Sequence, residues 1–578
     1  MKRILAYTIL LASVIQIRTI EAGAQATGDS WVLNPSLYRE KLYLFTDRNL
    51  YASGETVCFR LYNLSHPLLK ENNWSRVCYV ELINSRNTAV TRGKYQVYSW
   101  GGDGQIILPD TVSTGQYYLR AYTSWMRNYP PSGYVHLPLA IVNPRKISSA
   151  DLSSRVNGSG SGSGSGEEAP DRKAGIACAP DKTSYGNREK VTVRIDPGNG
   201  ESSPDGYCIS VIKKGYLDEA FRYTAAPAGG DPLRMNDLAH YPETGGTTLS
   251  GTVLLGEKQE PADRTLLGMT MLGPERDYVE FRTDENGRFR ILIPWQTGSH
   301  DALVTAHTER DGPVKILMDD AFSSDFSTAP VPATDFFGER RALVEEIMVN
   351  SQLKAAFKMP ERDAAETGDL NSDYLFYGTP GFRYRMVDYV LLPDLEEFLF
   401  EIIPQVRVVE NGDSKQLVVL DDRGEILYTP PLILLDYVPV PELGNLLFTS
   451  PQRIDHIDIV NRIYVRGDNT YGGIVSIISR QGDRAGLALP GGSTFTSLTG
   501  LSGLHETGSP DYEGAARNDR VPDLRNTLYW TAHYEITPEN GGSFEFYTSD
   551  EPGEFTVMVR GMTSDGNVLS GTCEFTVK

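Results

Sequence analysis

The sequence predicts a mainly β, multi-domain protein that also carries one small α+β domain. Three observations lead there. Short apolar-alternating segments recur about every ten residues between Gly and Pro turns, the grammar of β-sandwiches. A motif at Asp47–Arg60 returns at Asp181–Arg194, so two units share one local structure. Helical periodicity is confined to Phe336–Phe357 and Pro393–Ile403, and the second of these runs directly into strands.

The repeat reads acid, base, two residues, Tyr, three residues, Glu, one residue, Val, two residues, Arg in both copies. Each copy is a polar turn that leads into a strand of period two. Between the copies, Gly158–Gly166 alternates strictly between Gly and Ser, which leaves no side chains to pack and predicts a flexible linker over 146–173. The first copy thus falls in a β-sandwich over 38–145, and the second in a β unit over 174–237. A further sandwich is expected over 238–326. Within it, Phe281–Arg290 reads as strand, turn and strand, with Asn286-Gly287 at the turn because both residues tolerate positive φ. The acids of that turn lack the Glu that a calcium loop carries at its twelfth position. A helical connector follows over 330–384, then an α+β domain over 385–485, then a C-terminal sandwich-like segment over 486–578.

At 578 residues the chain has room for roughly three to five domains. The formal net charge of −20 opposes nucleic acid and anionic lipid as partners, since both require clustered Lys and Arg. Residues 1–26 read as a signal peptide: Lys2 and Arg3, a mostly apolar run from Ile4 to Ile15, and small residues at Ala22, Ala24 and Ala26 for cleavage. No later stretch is apolar over the ~18 residues that a membrane span needs. An exported protein, in the periplasm or associated with the outer membrane, is therefore expected.

The five cysteines are too few and too odd in number for a disulfide-built scaffold. Strand parity places Cys58 with Thr56 and Arg60 on an exposed face, and Cys78 with Val80 and Leu82 on a buried one. Cys178 and Cys208 lie in one expected domain, and a pairing between them in an oxidising compartment stays open.

The chemistry of catalysis is missing from the sequence. The eight histidines show no metal-ligand spacing, and His456, amid alternating strand residues, reads as structural. There is neither a nucleophile elbow nor a phosphate-binding loop. Asp319-Asp320 and Asp421-Asp422 are adjacent pairs that point to opposite faces of a strand, so they read as solvated turns and not as an acid/base couple. The expectation is no enzyme, no catalytic residue, no cofactor and no metal. Aromatics crowd the first sandwich at Tyr95, Tyr98, Trp100, Tyr117, Tyr118, Tyr122, Trp125 and Tyr129. Core filling is favoured for them over a stacking face for a sugar or a partner.

Three spaced segments carry a resemblance: Pro431–Val440, Ile454–Val460 and Tyr471–Arg480. Their order is similar to that of the plug domain of TonB-dependent outer-membrane receptors, with Tyr437 where those plugs usually carry Gly. Tyr43–Tyr51 with Gly54-Glu55 resembles the macroglobulin-type sandwich of the α2-macroglobulin family, and 241–325 looks like a carboxypeptidase-regulatory sandwich. The whole order is similar to a Gram-negative family that joins macroglobulin-like domains to a receptor plug. The residues after Asp483 fall short of the ~200 that a receptor barrel needs, so a plug without its barrel is expected. The Cys-Gly-Glu-Gln thioester motif of α2-macroglobulin is absent. The resemblance implies a non-catalytic binding or assembly protein of the envelope, with a link to outer-membrane transport and an envelope or outer-membrane protein as partner. It points to Tyr437, Asn469 and Tyr471, at turns, as the candidate interaction surface. A surface adhesin and a non-catalytic part of a hydrolase system are the alternatives.

Overall fold

A computed structural model describes residues 24–27, 30–33, 39–64, 75–98, 101–146, 172–196, 204, 206–217, 233–234, 238–273, 276–308, 312–326, 340–357, 375–390, 392–412, 414–466, 469–503, 510–513, 520–536, 542–563 and 567–578. The expected linker core, Gly158–Gly166, and the charged and apolar parts of the expected signal peptide lie outside them. The chain divides into two compact units: 1–246 with 322–365 and 501–578, and 247–321 with 366–500.

The first unit opens with a sandwich. Strands Leu42–Thr46, Thr56–Asn63 and Gly102–Ile107 form one antiparallel sheet. The facing sheet runs Leu50–Ala52, Val135–Val142, Gly115–Thr123, Val77–Asn84, Ala89–Gln96, and its first pair is parallel. Most of the aromatics pack: Tyr95, Tyr117, Tyr118, Tyr122, Trp125 and Tyr129 are buried, whereas Tyr98 is exposed and Trp100 lies outside the described residues. The outer face of the larger sheet is also covered. Arg120, wholly buried, pairs with Glu81 at 2.5 Å and donates to the carbonyls of Ser323 and Asp325. Tyr79 donates to Glu243 at 2.9 Å. A buried ion pair is tolerable only when its remaining donors are satisfied, and here backbone carbonyls satisfy them.

The second sandwich is split in sequence. One sheet orders Arg172–Ala174, Val568–Val577, Gly553–Met562, Tyr207–Lys213 and Thr527–Tyr534; the other is Ala177–Pro180, Lys190–Asp196 and Ser543–Tyr547. The expected domains at 174–237 and 486–578 are therefore one fold. The reason lies in the core. Val191, Val193, Ile209 and Val211 from the first piece interlock with Leu528, Phe544, Phe546, Phe555 and Phe575 from the second, and neither set closes a core by itself. Strand Ser493–Thr499 belongs instead to the second unit, where it pairs with Ser299–His307. Helix Arg341–Ala356, expected to be part of a connector, docks on the first unit through Val344 and Ile347 beside Leu50, Ala140 and Tyr216.

Two cysteine expectations change. Cys58 is buried, not exposed, because its face of Thr56–Asn63 abuts the split sandwich: Arg60 on the same face is also buried and meets His533. Cys208 alternates with Tyr207, Ile209 and Val211, which enter the core of the split sandwich, so it points to the opposite face, toward Arg560 and Arg60. Cys178 packs against that core, which removes the Cys178–Cys208 pairing.

The repeated motif is one hydrogen-bonded cassette built twice. In the first copy, Asp47 Oδ1 accepts from the Tyr51 hydroxyl at 2.7 Å and the Cys58 amide at 3.1 Å, while Glu55 Oε2 accepts from the Ala52 amide at 2.7 Å. In the second copy, Asp181 Oδ1 accepts from Tyr185 at 2.7 Å and the Thr192 amide at 2.9 Å, and Glu189 Oε2 accepts from the Gly186 amide at 2.6 Å. The eighth position is left-handed in both: Gly54 at φ 83° and Arg188 at φ 54°. An arginine there carries strain of about 1–2 kcal/mol, offset by its two-pronged grip on Asp550 at 3.0 and 2.6 Å.

The second unit joins a sandwich to an α+β domain. The sandwich faces Asp277–Arg282, Leu266–Met271, Ser299–His307 and Ser493–Thr499 against a sheet around Gly246–Leu255. Asp284 Oδ1 closes the expected Asn286-Gly287 turn by accepting the amides of Asn286 and Arg288. In the α+β domain, Phe382–Arg385, Ile454–Val460, Ile474–Ser479, Leu432–Leu435 and Val438–Pro439 form one mixed sheet. Helix Leu395–Ile402, capped by Asp394 on the Glu397 amide, lays Leu395, Phe398 and Leu399 on one face of it, with Leu435. Leu432 and Leu434 face the other way, into a cluster with Phe376, Tyr377 and Tyr278. This is why Leu432–Leu435 is continuously apolar: both of its faces are covered.

Two stability predictions follow from these contacts. Burial raises the Asp47 carboxyl above the ordinary range against the pull of Arg48 and Tyr51. Asp181 is exposed; its slight burial is outweighed by the Tyr185 and Thr192 hydrogen bonds, which hold it below. A raised folded pKa means that the folded state keeps a proton the unfolded chain has lost, so stability falls as pH rises through that window. A lowered one means that stability is lost as pH falls. The stability of wild type relative to Asp47→Asn should therefore decline from about pH 3 to 7 and relative to Asp181→Asn should climb, read from urea midpoints. Parallel profiles would show that the covering of the first copy does not matter. Leu434→Ala should destabilise the second unit by about 2–5 kcal/mol in urea unfolding, and a cost below about 1 kcal/mol would contradict the two-sided burial.

Candidate functional site

The loops that the sequence singles out lie at one edge of the α+β domain. Asp436 and Tyr437 form the two-residue hairpin loop between Leu432–Leu435 and Val438–Pro439, at φ 51° and 66°. Mirror-image turns of this kind match the twist of the flanking strands, and glycine takes them most easily. Here Asp436 anchors the turn: its carboxylate accepts from the Ser479 amide at 2.7 Å, the Ser479 hydroxyl at 2.6 Å and the Arg484 amide at 2.7 Å.

Tyr437 is buried, with Arg276 over its ring at 4.8 Å and its carbonyl accepting from Thr270. Tyr471, on the hairpin Tyr464–Arg466/Asn469–Tyr471, donates to Glu280 at 2.6 Å; Tyr278 donates to the other oxygen of the same carboxylate, and Arg466 pairs with Asp277. Burial and the Glu280 charge push the Tyr471 hydroxyl well above its ordinary range. Burial likewise raises Asp277, against Arg466. The structure thus brings Tyr437 and Tyr471 onto the side that meets the neighbouring sandwich, and Asn469 is half-buried beside them. The expected open surface is an internal joint. Sequence parity could not show this, because the joint uses residues of another domain.

An open concave site lies instead along helix Leu395–Ile402. A cleft of about 460 Å³ is lined by Asp394, Glu396, Glu397, Phe400, Val408 and Glu410. Phe400 is 79% exposed, although the opposite face of its helix is fully packed. Lys415 bonds both oxygens of Glu396 at 2.6 Å and lies 5.9 Å from the ring of Phe448, itself 71% exposed. Apolar floor plus carboxylate rim suits a cationic, amphipathic chain: stems pack on Phe400 and Val408 while charged heads meet the acids. The sequence signal was the exposed Phe in an otherwise regular amphipathic pattern, Leu-Glu-Glu-Phe-Leu-Phe-Glu-Ile. Among the described residues no group of three or more His, Cys, Asp or Glu could hold a metal, and no helix is long and apolar enough to cross a membrane. His456 bonds its neighbour Asp455, and Asp421 caps its own turn.

No protein-family model matches the chain. Over 84 residues, 14% of this chain and 5% of the relative, it is 34% identical to an alpha-2-macroglobulin of Thermotoga maritima. The likeness is to macroglobulin-type β-domains. Solved structures of Salmonella and E. coli alpha-2-macroglobulins align over 96% and 94% of this chain, at 12% and 10% identity and a TM-score of 0.23 in each case. The chain spans about 40% of the length of those structures and a small fraction of the curated relative.

The turn geometry makes a test. Tyr437→Gly should leave the protein more stable than Tyr437→Ala by about 1 kcal/mol, despite the extra chain entropy of glycine, because only glycine meets φ 66° without strain. The reverse order in urea unfolding would show that the turn relaxes.

Proposed function

We propose that this is a non-catalytic binding or assembly protein of the bacterial cell envelope, in which macroglobulin-like sandwiches carry a plug-like α+β domain that docks a protein partner. The observation that carries this reading is Phe400, held exposed above a cleft rimmed by carboxylates on a helix whose other face is packed. A large exposed aromatic at a concave surface, with Phe448 also exposed across Lys415, is the kind of side chain that protein interfaces bury as an anchor. The plug-like reading is supported by topology: the segments Leu432–Leu435, Ile474–Ser479 and Ile454–Val460, which carry the motif order, are adjacent strands of one sheet. Export to the envelope fits the apolar N-terminal run, the likeness to macroglobulins, and the net charge of −20, which favours a cationic protein surface over nucleic acid.

The test is affinity capture from detergent-solubilised envelope, comparing wild type with Phe400→Ser plus Glu397→Lys, after circular dichroism shows that both are folded. Both side chains are exposed, so folding should be unaffected. The expected result is an envelope protein that binds wild type and binds the variant at least about tenfold more weakly, the effect of losing ~1.4 kcal/mol or more at a central aromatic. Equal recovery by both moves the binding face elsewhere, and turnover of peptide, ester or glycoside substrates by the pure protein would overturn the non-catalytic reading.

A further inference from the structure

The split sandwich brings together two cysteines that lie at opposite ends of the chain. Strand Ala177–Pro180 belongs to its three-stranded sheet and Val568–Val577 to the facing one. Cys178 and Cys573 both lean on the same core from those facing sheets. The two thiols are near enough to perturb each other's ionisation.

The backbone holds them in this relation from both sides. Arg172–Ala174 runs parallel to Val568–Ser570, and Ser184–Tyr185 runs parallel to Thr576–Val577, so the intervening stretch is pinned alongside Gly571–Phe575. The approach is tight: a Cβ on Gly571 would clash with the Ile176 carbonyl oxygen.

The other three thiols differ. Cys58, Cys78 and Cys208 are buried, whereas Cys178 and Cys573 are only partly covered. Burial is the first cause that raises the three buried thiols, which keeps them protonated and unreactive. The interaction with Cys573 lowers the Cys178 thiol below its ordinary range and raises Cys573 in turn, so Cys178 is the thiol that ionises first.

We propose that Cys178 and Cys573 are a disulfide site, a cross-sheet bond that ties the N-terminal and C-terminal pieces of the split sandwich and closes the chain around the inserted second unit. The oxidant is an external disulfide, of a small molecule or of a thiol oxidase. The Cys178 thiolate, having lost its proton to solvent, attacks one sulfur of that disulfide, forms a mixed disulfide and expels the other sulfur as a thiolate. Cys573 then loses its proton and attacks the Cys178 sulfur, which expels the second thiolate. Two protein thiols are oxidised by two electrons, and one external disulfide is reduced to two thiols.

The experiment uses the full chain and oxidised glutathione, so it is independent of any envelope partner. Reduced and oxidised samples are denatured, labelled with a maleimide and digested without reductant. Oxidation is expected to remove two labels and to yield one linked peptide pair holding Cys178 and Cys573, lighter by two hydrogens and restored by reductant. The oxidised protein should also melt at a higher temperature than the reduced one, and Cys178→Ser and Cys573→Ser, each checked for folding, should abolish that difference. Five labels retained after oxidation, a link through any other cysteine, stable glutathione adducts at Cys178, or an unchanged melting temperature in the linked protein would each overturn the proposal.

Discussion

The carboxylate of Asp47 is the point on which the first unit turns. One oxygen takes the Tyr51 hydroxyl and the Cys58 amide, which locks the turn to the strand that follows it. The other takes the Thr527 hydroxyl from the far end of the chain, at 3.0 Å. The surrounding backbone makes the same journey: Ser210 donates to the Asp47 carbonyl and Arg560 to the Thr46 carbonyl, each from the split sandwich. A carboxylate removed from water is tolerable only if its lone pairs are used, and here they are used by both domains at once. The cassette therefore closes a turn and joins two sandwiches.

Its second copy shows what the joining adds. Asp181, Tyr185 and Glu189 repeat the geometry nearly to the tenth of an ångström, yet Asp181 stays in water. The same hydrogen bonds consequently shift the two carboxyls in opposite directions: burial dominates at Asp47, hydrogen bonding at Asp181. At Glu55 burial pushes up, but Arg48 and Lys354 win and hold the carboxyl low. Lys354 belongs to helix Arg341–Ala356, so the first cassette also senses the helix that docks beside it. Local sequence sets the cassette; the covering surface sets its electrostatics.

That division explains how much could be read from the sequence. The repeat, the sandwich grammar, the Asn286-Gly287 turn and the amphipathic face of Leu395–Ile402 are local signals, and each appears in the structure. The partnership of 172–213 with 527–577 is not local. Nothing in either piece names the other; only the shortage of strands in each hints that a core is incomplete. Cys58 departs from its expected exposure for the same reason, since period-two alternation reports which face a residue is on and not what lies against that face. At the candidate site, Tyr437 lies in a turn while Asn469 and Tyr471 lie on a short hairpin strand, and the partners Thr270, Arg276 and Glu280 sit on another domain, out of reach of a local reading.

The internal use of those turns bears on function. A hairpin loop held at φ 66° by a tyrosine stores strain, and it persists because Asp436 and the sandwich contacts over-determine it. An edge bound that firmly cannot also serve as an adaptable recognition surface. The opposite side of the same sheet carries the helix, and there the constraint is reversed: Leu395, Phe398 and Leu399 are packed into the core, while Phe400 on the same helix stays 79% exposed. Exposing a phenylalanine ring forgoes about 1.5–3 kcal/mol of burial that a rotated helix or a polar residue would not forgo. The fold fixes the helix by its Asp394 cap and its packed face, so the ring is held outward by the same contacts that make the domain stable. One domain thus presents a rigid edge to its own chain and a rigid face open to solvent.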